Sequence, residues 1–206
     1  MNKIEQFVYQ RVKNNYVLKD FLRNIYQGIY DLLPNYDSHF NYEPVVLENS
    51  FCGFHDVKPF STDNRLLLSN RLTIPLRMPT KNDVLEVGYY SGKDYSEWHK
   101  SGETSAWNYH KGCRLQWLDD SHIIYNTCRN DCLNATICDI TTGAKQFVNW
   151  AIDSVSDDGK YATSLSYGRL EQQMPGYGYA IGDDEIYSES YTPEHSQLHA
   201  KKLRRS

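Results

Sequence analysis

Residues 116–126 read QWLDDSHIIYN: an aromatic residue, an acidic pair, a serine, then an apolar run. Paired aspartates suit general acid–base chemistry, but they also suit a turn between two strands. Two other stretches decide between these readings. PFSTDNRLLLS (59–69) and SVSDDGKYATS (154–164) lie over QWLDDSHIIYN without a gap. Phe60, Trp117 and Val155 share one column, Asp63, Asp120 and Asp158 a second, and Asn64, Ser121 and Gly159 a third. Each copy is an apolar residue, a short acidic turn and a strand leading back. The third copy contains Asp-Gly, which supplies the positive φ that a tight hairpin needs. The aspartates are therefore expected to turn the chain.

Around these turns the sequence is punctuated like an all-β protein. FCGFH, RLLLSNRL, VLEVGYY, SAWNYH, CRLQWL, HIIYNTC, ATICDI, KQFVNWAI and KYATSLSY are short runs separated by STDN, SGKD, LDDS, TTGA and SDDGK. Repeats near 40 residues, with about four strands each, mark propeller blades. In the second repeat CRLQWL, HIIYNTC, ATICDITTG and KQFVNWAI are expected as strands one to four. In the first, VLEVGYYSG is expected third and TSAWNYHKG fourth, after an insertion through residues 70–83. The expected fold is all-β with N-terminal helices: a partial β-propeller of two full blades and part of a third.

The flanks differ. Residues 1–33 carry apolar side chains at three- and four-residue steps, among them Leu18, Leu22, Ile25, Ile29 and Leu32, and Pro34 supplies a stop. A helical segment is expected there, packed on the domain rather than on a membrane surface. Residues 34–49 read as a polar linker, 50–182 as the blades and 183–206 as a polar, disordered tail.

Composition narrows the function. The 206 residues carry 22 Lys and Arg against 26 Asp and Glu, a net charge of −4, which argues against nucleic acid as the partner. The basic cluster at Lys201, Lys202, Arg204 and Arg205 reads as solvated. No stretch has the length of a transmembrane segment, and the N-terminus lacks a secretory pattern, so a cytoplasmic location is expected. Five cysteines, three of them spaced C-x3-C-x5-C in CRNDCLNATIC, fit reduced thiols beside strands better than zinc. The 17 Tyr suit sheet faces and sugar-binding surfaces alike.

The pattern W-x-x-D-[DGS] before a strand, with a third strand ending in TTG, resembles the bacterial WD40-like and oligogalacturonate-lyase-like β-propellers. FHDVKPFS, AWNYHKGCRLQWL and VSDDGKYATSLSYGRL are similar to segments of propeller proteins encoded among bacterial surface-polysaccharide genes. The resemblance covers about residues 50–182 and implies the fold more firmly than any activity. It implies a non-catalytic protein of surface-polysaccharide biosynthesis that binds a glycan or a partner protein. One alternative is a metal-assisted uronate lyase, the family's chemistry, in which His55 and Gln116 take part. The other is an inactive, truncated remnant, since a closed propeller needs at least four blades; its open blade edges would then favour self-association.

His55, Trp107, His110, Gln116 and Arg169 are the candidate ligand-binding residues. No catalytic residue and no metal ligand is assigned, and no cofactor is expected outside the divalent metal of the lyase alternative. His55-Asp56 lacks a nucleophile elbow. His195 and His199 depart from the zincin H-E-x-x-H, and PGYGYAIG (175–182) departs from both phosphate-loop patterns.

Overall fold

The computed structural model describes residues 16–32, 43–180 and 199–203. The chain divides into two units, Met1–Pro44 and Val45–Ser206. In the first unit, helix α1 (Tyr16–Asp31) occupies the second half of the expected helical segment and ends ahead of Pro34. Phe21, Ile25 and Ile29 are exposed on it, as is Leu32 just past its end. Residues 1–15 and 33 of that expectation, and 34–42 of the linker, lie outside the described residues.

The second unit is mostly β. Strands β1 (Ser50–Phe51), β2 (Leu67–Leu72), β3 (Leu85–Ser91) and β4 (Glu97–Thr104) form one antiparallel sheet in chain order. Strands β5 (Gln116–Trp117), β6 (His122–Arg129), β7 (Cys132–Asp139) and β8 (Lys145–Val148) form a second in the same manner. Then β9 (Tyr161–Ser164), helix α2 (Tyr167–Gln173) and β10 (His199–Lys202) follow, with β9 and β10 paired antiparallel.

The three sheets stack face to face. Leu68, Leu85 and Val87 of the first meet Ile123, Tyr125 and Cys138 of the second, with Trp107, Cys113 and Leu115 in the same cluster. On the opposite face of the second sheet, Ile124, Ala135 and Ile137 meet Ile152, Ala162 and Leu203. The alternation of Ile123 and Ile124 thus sends adjacent side chains into two different cores. The approach is close enough that Gly102 on β4 is required: a Cβ there would stand 2.2 Å from the hydroxyl of the buried Tyr125.

Several expectations are corrected. The fourth strand of the first sheet is EWHKSGET, not TSAWNYHKG, which turns instead as a loop. β4 is an outer edge with little to bury, so its sequence is polar, whereas the aromatic SAWNYH loop carries Trp107 into the core. The C-x3-C spacing of Cys128 and Cys132 is a hairpin: β6 and β7 join through Asn130 and Asp131, both at positive φ (52° and 59°). All five cysteines are free thiols, as expected of thiols packed in or beside strands. Residues 199–202, assigned to a disordered tail, form β10, because its backbone completes an otherwise bare edge of β9. Residues 183–198 of that tail, His195 among them, and 204–206 lie outside the described residues, as does PGYGYAIG beyond Ala180.

A second repeat emerges that the turns did not reveal. Asn70 on β2 and Asn126 on β6 are both fully buried. The Asn126 amide donates to the carbonyl of Ile152 (2.8 Å) and accepts from its N–H (2.7 Å), so it serves as a surrogate strand partner for the chain entering the third sheet. Asn70 donates to the Phe51 carbonyl and accepts from the Cys113 thiol. Asn126→Ala strands two buried backbone groups and is expected to cost about 3 kcal/mol in urea unfolding. Asn70→Ala, with the thiol as its weaker partner, should cost clearly less; equal losses would contradict this assignment.

Candidate functional site

The inner edges of the three sheets converge on one groove. Phe60 bridges to Leu67 ahead of β2, Trp117 pairs with Ile123, and Val155 bridges to Ala162 ahead of β9. The three acidic turns that follow these residues form its rim. The groove has a volume of about 700 Å³, within the usual range for small-molecule sites.

The turns themselves explain the recurring aspartates. In the first, Ser61 Oγ donates to Asp63 Oδ1 (2.7 Å), which also accepts from Arg65 N–H (3.0 Å), while Leu66 N–H donates back to Ser61 Oγ (2.9 Å). The third repeats this bond for bond, with Ser156, Asp158, Lys160 and Tyr161 at 2.7, 3.1 and 3.0 Å. Asn64 and Gly159 take positive φ (58° and 63°) at the same place in each.

The middle turn departs from the gapless alignment. Its closing bond runs from Leu118 N–H to the His122 carbonyl, one residue shorter than Ser61 to Leu66 or Ser156 to Tyr161. Leu118 cannot provide the serine hydroxyl, and Asp119 rather than Asp120 caps the turn. Asp119 Oδ1 accepts from the N–H groups of Ser121 (2.9 Å) and His122 (2.8 Å) and lies 2.9 Å from His122 Nδ1. Burial alone would raise the Asp119 pKa, but those amides and the imidazole outweigh it and hold the carboxyl at about 2. Asp120 is left exposed and accepts from Thr62 Oγ1 of the first turn (2.9 Å).

Beneath the groove sits a charged cluster drawn from distant parts of the chain. The Arg114 side chain is fully buried and binds both carboxylate oxygens of Asp56 at 2.9 Å. Its Nε donates to the Asp153 carbonyl, and the Asp153 carboxylate accepts from Lys111 Nζ (3.1 Å) and Tyr167 Oη (2.9 Å). Burial opposes the guanidinium charge, but Asp56 and Asp153 outweigh it and raise the Arg114 pKa; the Arg114 bonds hold the Asp56 carboxyl below its usual range. Nothing in the local sequence around Arg114 announces this cluster; a charged residue between the apolar Cys113 and Leu115 was the available signal.

The five candidate ligand residues do not form one constellation. Gln116 lines the groove, yet its amide is committed: Nε2 donates to the carbonyls of Arg114 (3.1 Å) and Asp153 (3.0 Å), and Oε1 accepts from Val155 N–H (3.2 Å). His55 is exposed in a turn, its ring 4.3 Å from Phe54. Trp107 is a core residue whose indole N–H donates to the Asp83 carbonyl (2.9 Å), which removes it from the surface. His110 is exposed and stacks on Tyr177 at 4.3 Å, beside a separate small cavity. Arg169 is half-buried on α2.

One further cluster resembles catalytic machinery. Ser91 Oγ lies 2.7 Å from His99 Nε2, but Glu97 approaches that same nitrogen (3.9 Å) and the same hydroxyl (3.4 Å). A triad acid must hold the far nitrogen of the ring, so this is a polar ladder across an exposed strand pair. No group of three or more His, Cys, Asp or Glu among the described residues is arranged to hold a metal ion. No described helix is long and apolar enough to cross a membrane.

Arg114→Met should destabilise the fold by about 3–5 kcal/mol in denaturant unfolding, because Asp153 would remain buried without it. Asp56→Asn should cost less, since the Asp56 side chain is 44% exposed. Asp119 has a folded pKa below its ordinary value of 3.8, so its contribution is present above that value and is lost as pH falls from about 4 towards 2. Asp119→Asn is expected to flatten the acid limb of the stability profile over that window; an unchanged limb would place the acid sensitivity elsewhere. No family model, curated protein or solved structure matches the chain.

Proposed function

We propose that this chain is a non-catalytic binding module, built as part of a β-propeller, whose inner groove holds a glycan. What supports the propeller reading is the stacking of two four-stranded meanders and the start of a third sheet, each carrying an apolar residue followed by an acidic turn. A partial propeller leaves its axis open on one side, as a groove rather than a channel. The link to bacterial surface polysaccharide rests on the sequence resemblance alone.

The observation that carries the binding reading is the composition of the groove. Phe60 is 46% exposed at its wall, and the half-buried Trp117 lies in the adjacent inner strand. Thr62, Asn64 and Ser154 add hydroxyl and amide groups around them. Aromatic faces beside small polar groups match a sugar, which has apolar C–H faces and a hydroxyl rim.

The lyase alternative gains no comparable support. It needs Gln116 free to reach a metal, and that amide is tied to three backbone groups.

Titration of the chain with cellopentaose, a neutral oligosaccharide, followed by amide NMR, should move signals of residues 60–64, 117–120 and 154–157. Phe60→Ala should weaken binding about tenfold, the scale of one lost aromatic contact, with little change in melting temperature. Shifts confined to residues outside the groove would overturn the assignment.

A further inference from the structure

We infer that the groove selects glycans bearing free amino groups and rejects uronates, a specificity that rests on the glycan-binding reading above. The groove lining contains four aspartates, Asp56, Asp119, Asp120 and Asp157, against one lysine, Lys58. Their availability differs. Asp56 is neutralised from below by the two bonds of Arg114, and Asp119 is occupied by its turn amides and His122. Asp120, which accepts one bond from Thr62 Oγ1, and Asp157 are exposed on two of the three turns that line the groove. Lys58 lies 3.7 Å from Asp157, but both side chains stand almost wholly in solvent, at 90% and 100% exposure, so this pair does little to cancel the charge.

The available charge of the groove is therefore negative, and its aromatic wall lies beside it. A ligand placed against Phe60 brings its ring substituents towards the Asp120 and Asp157 rims. An ammonium there meets carboxylates that accept charge-assisted hydrogen bonds. A uronate carboxylate at the same place meets like charge, and the one lysine of the groove lining stands almost wholly in solvent. A basic peptide would answer the charge equally well, but the groove's mixture of ring faces, hydroxyls and amides fits pyranose rings better than a flexible aliphatic cation. The same distribution disfavours the acidic polysaccharide substrates that a uronate lyase would require.

Four ligands separate the possibilities by calorimetry at low salt: a glucosamine pentamer with free amines, its fully N-acetylated counterpart, an oligogalacturonate of equal length, and pentalysine. The glucosamine pentamer is expected to bind at least tenfold tighter than the acetylated one, with a preference that declines as salt rises. The oligogalacturonate should bind most weakly of the three glycans. Asp120→Asn combined with Asp157→Asn should lower the affinity for the free-amine pentamer to about that for the acetylated one. Equal affinity for all glycans, or tighter binding of the galacturonate, overturns the selectivity while leaving the glycan reading in place. Binding of no glycan by a chain with intact circular dichroism overturns both, and tight binding of pentalysine alone makes the groove a peptide site.

Discussion

One buried ion cluster fixes the relation of the three sheets. Arg114, at the head of the second sheet's inner strand, holds Asp56 from the approach to the first and Asp153 from the approach to the third. An unpaired guanidinium in that position would cost several kcal/mol, so the three segments are held together or the arrangement fails. The backbone at Arg114 takes a positive φ of 57°, uncommon for a side chain of that size, which turns the guanidinium under the groove. Lys111 and Tyr167 complete the set around Asp153, and Tyr167 in turn stacks on Tyr179 at 4.1 Å. The apolar cores give the sheets their adhesion, but adhesion between pleated faces tolerates sliding. The directional bonds of Arg114 and Asn126 determine where each inner strand begins.

The turns were legible in the sequence because they are local. Ser61-x-Asp63 and Ser156-x-Asp158 satisfy their own backbone within five residues, so the chemistry and the spacing coincide. The one-residue deletion in the middle copy was hidden for a physical reason. Ile123, Ile124 and Tyr125 are all buried, since the second sheet is covered on both faces. A strand buried on both sides loses the alternation that would report its register. The polar β4 was misplaced for the complementary reason: an outer edge strand presents few apolar residues, and a loop that plunges into the core presents many.

The groove was only partly legible. Gln116 lies on β5 and lines the groove, yet its bonds to backbone groups make it a strut. The exposed Phe60 and the pairing of Thr62 with Asp120 depend on the juxtaposition of turns 58 residues apart, and no local pattern encodes that distance. The Arg114 cluster joins residues from three separate segments for the same reason. Sequence patterns report what a residue does for its own strand; they are silent on charges that meet only after the sheets have stacked.

The pairing of β9 with β10 has a consequence for the order in which the molecule assembles. The first two sheets are meanders, and each strand finds its partner within a short stretch of chain. The third sheet cannot be completed until residues 199–203 return to Tyr161–Ser164 and seat Leu203 against the second sheet. During synthesis, then, Ile124, Ala135 and Ile137 stand without that cover for the time needed to make the intervening segment. Long-range closures of this kind are slow, and a waiting apolar sheet face is sticky. The nascent chain has its most vulnerable interval after two sheets are formed and before the last strand arrives.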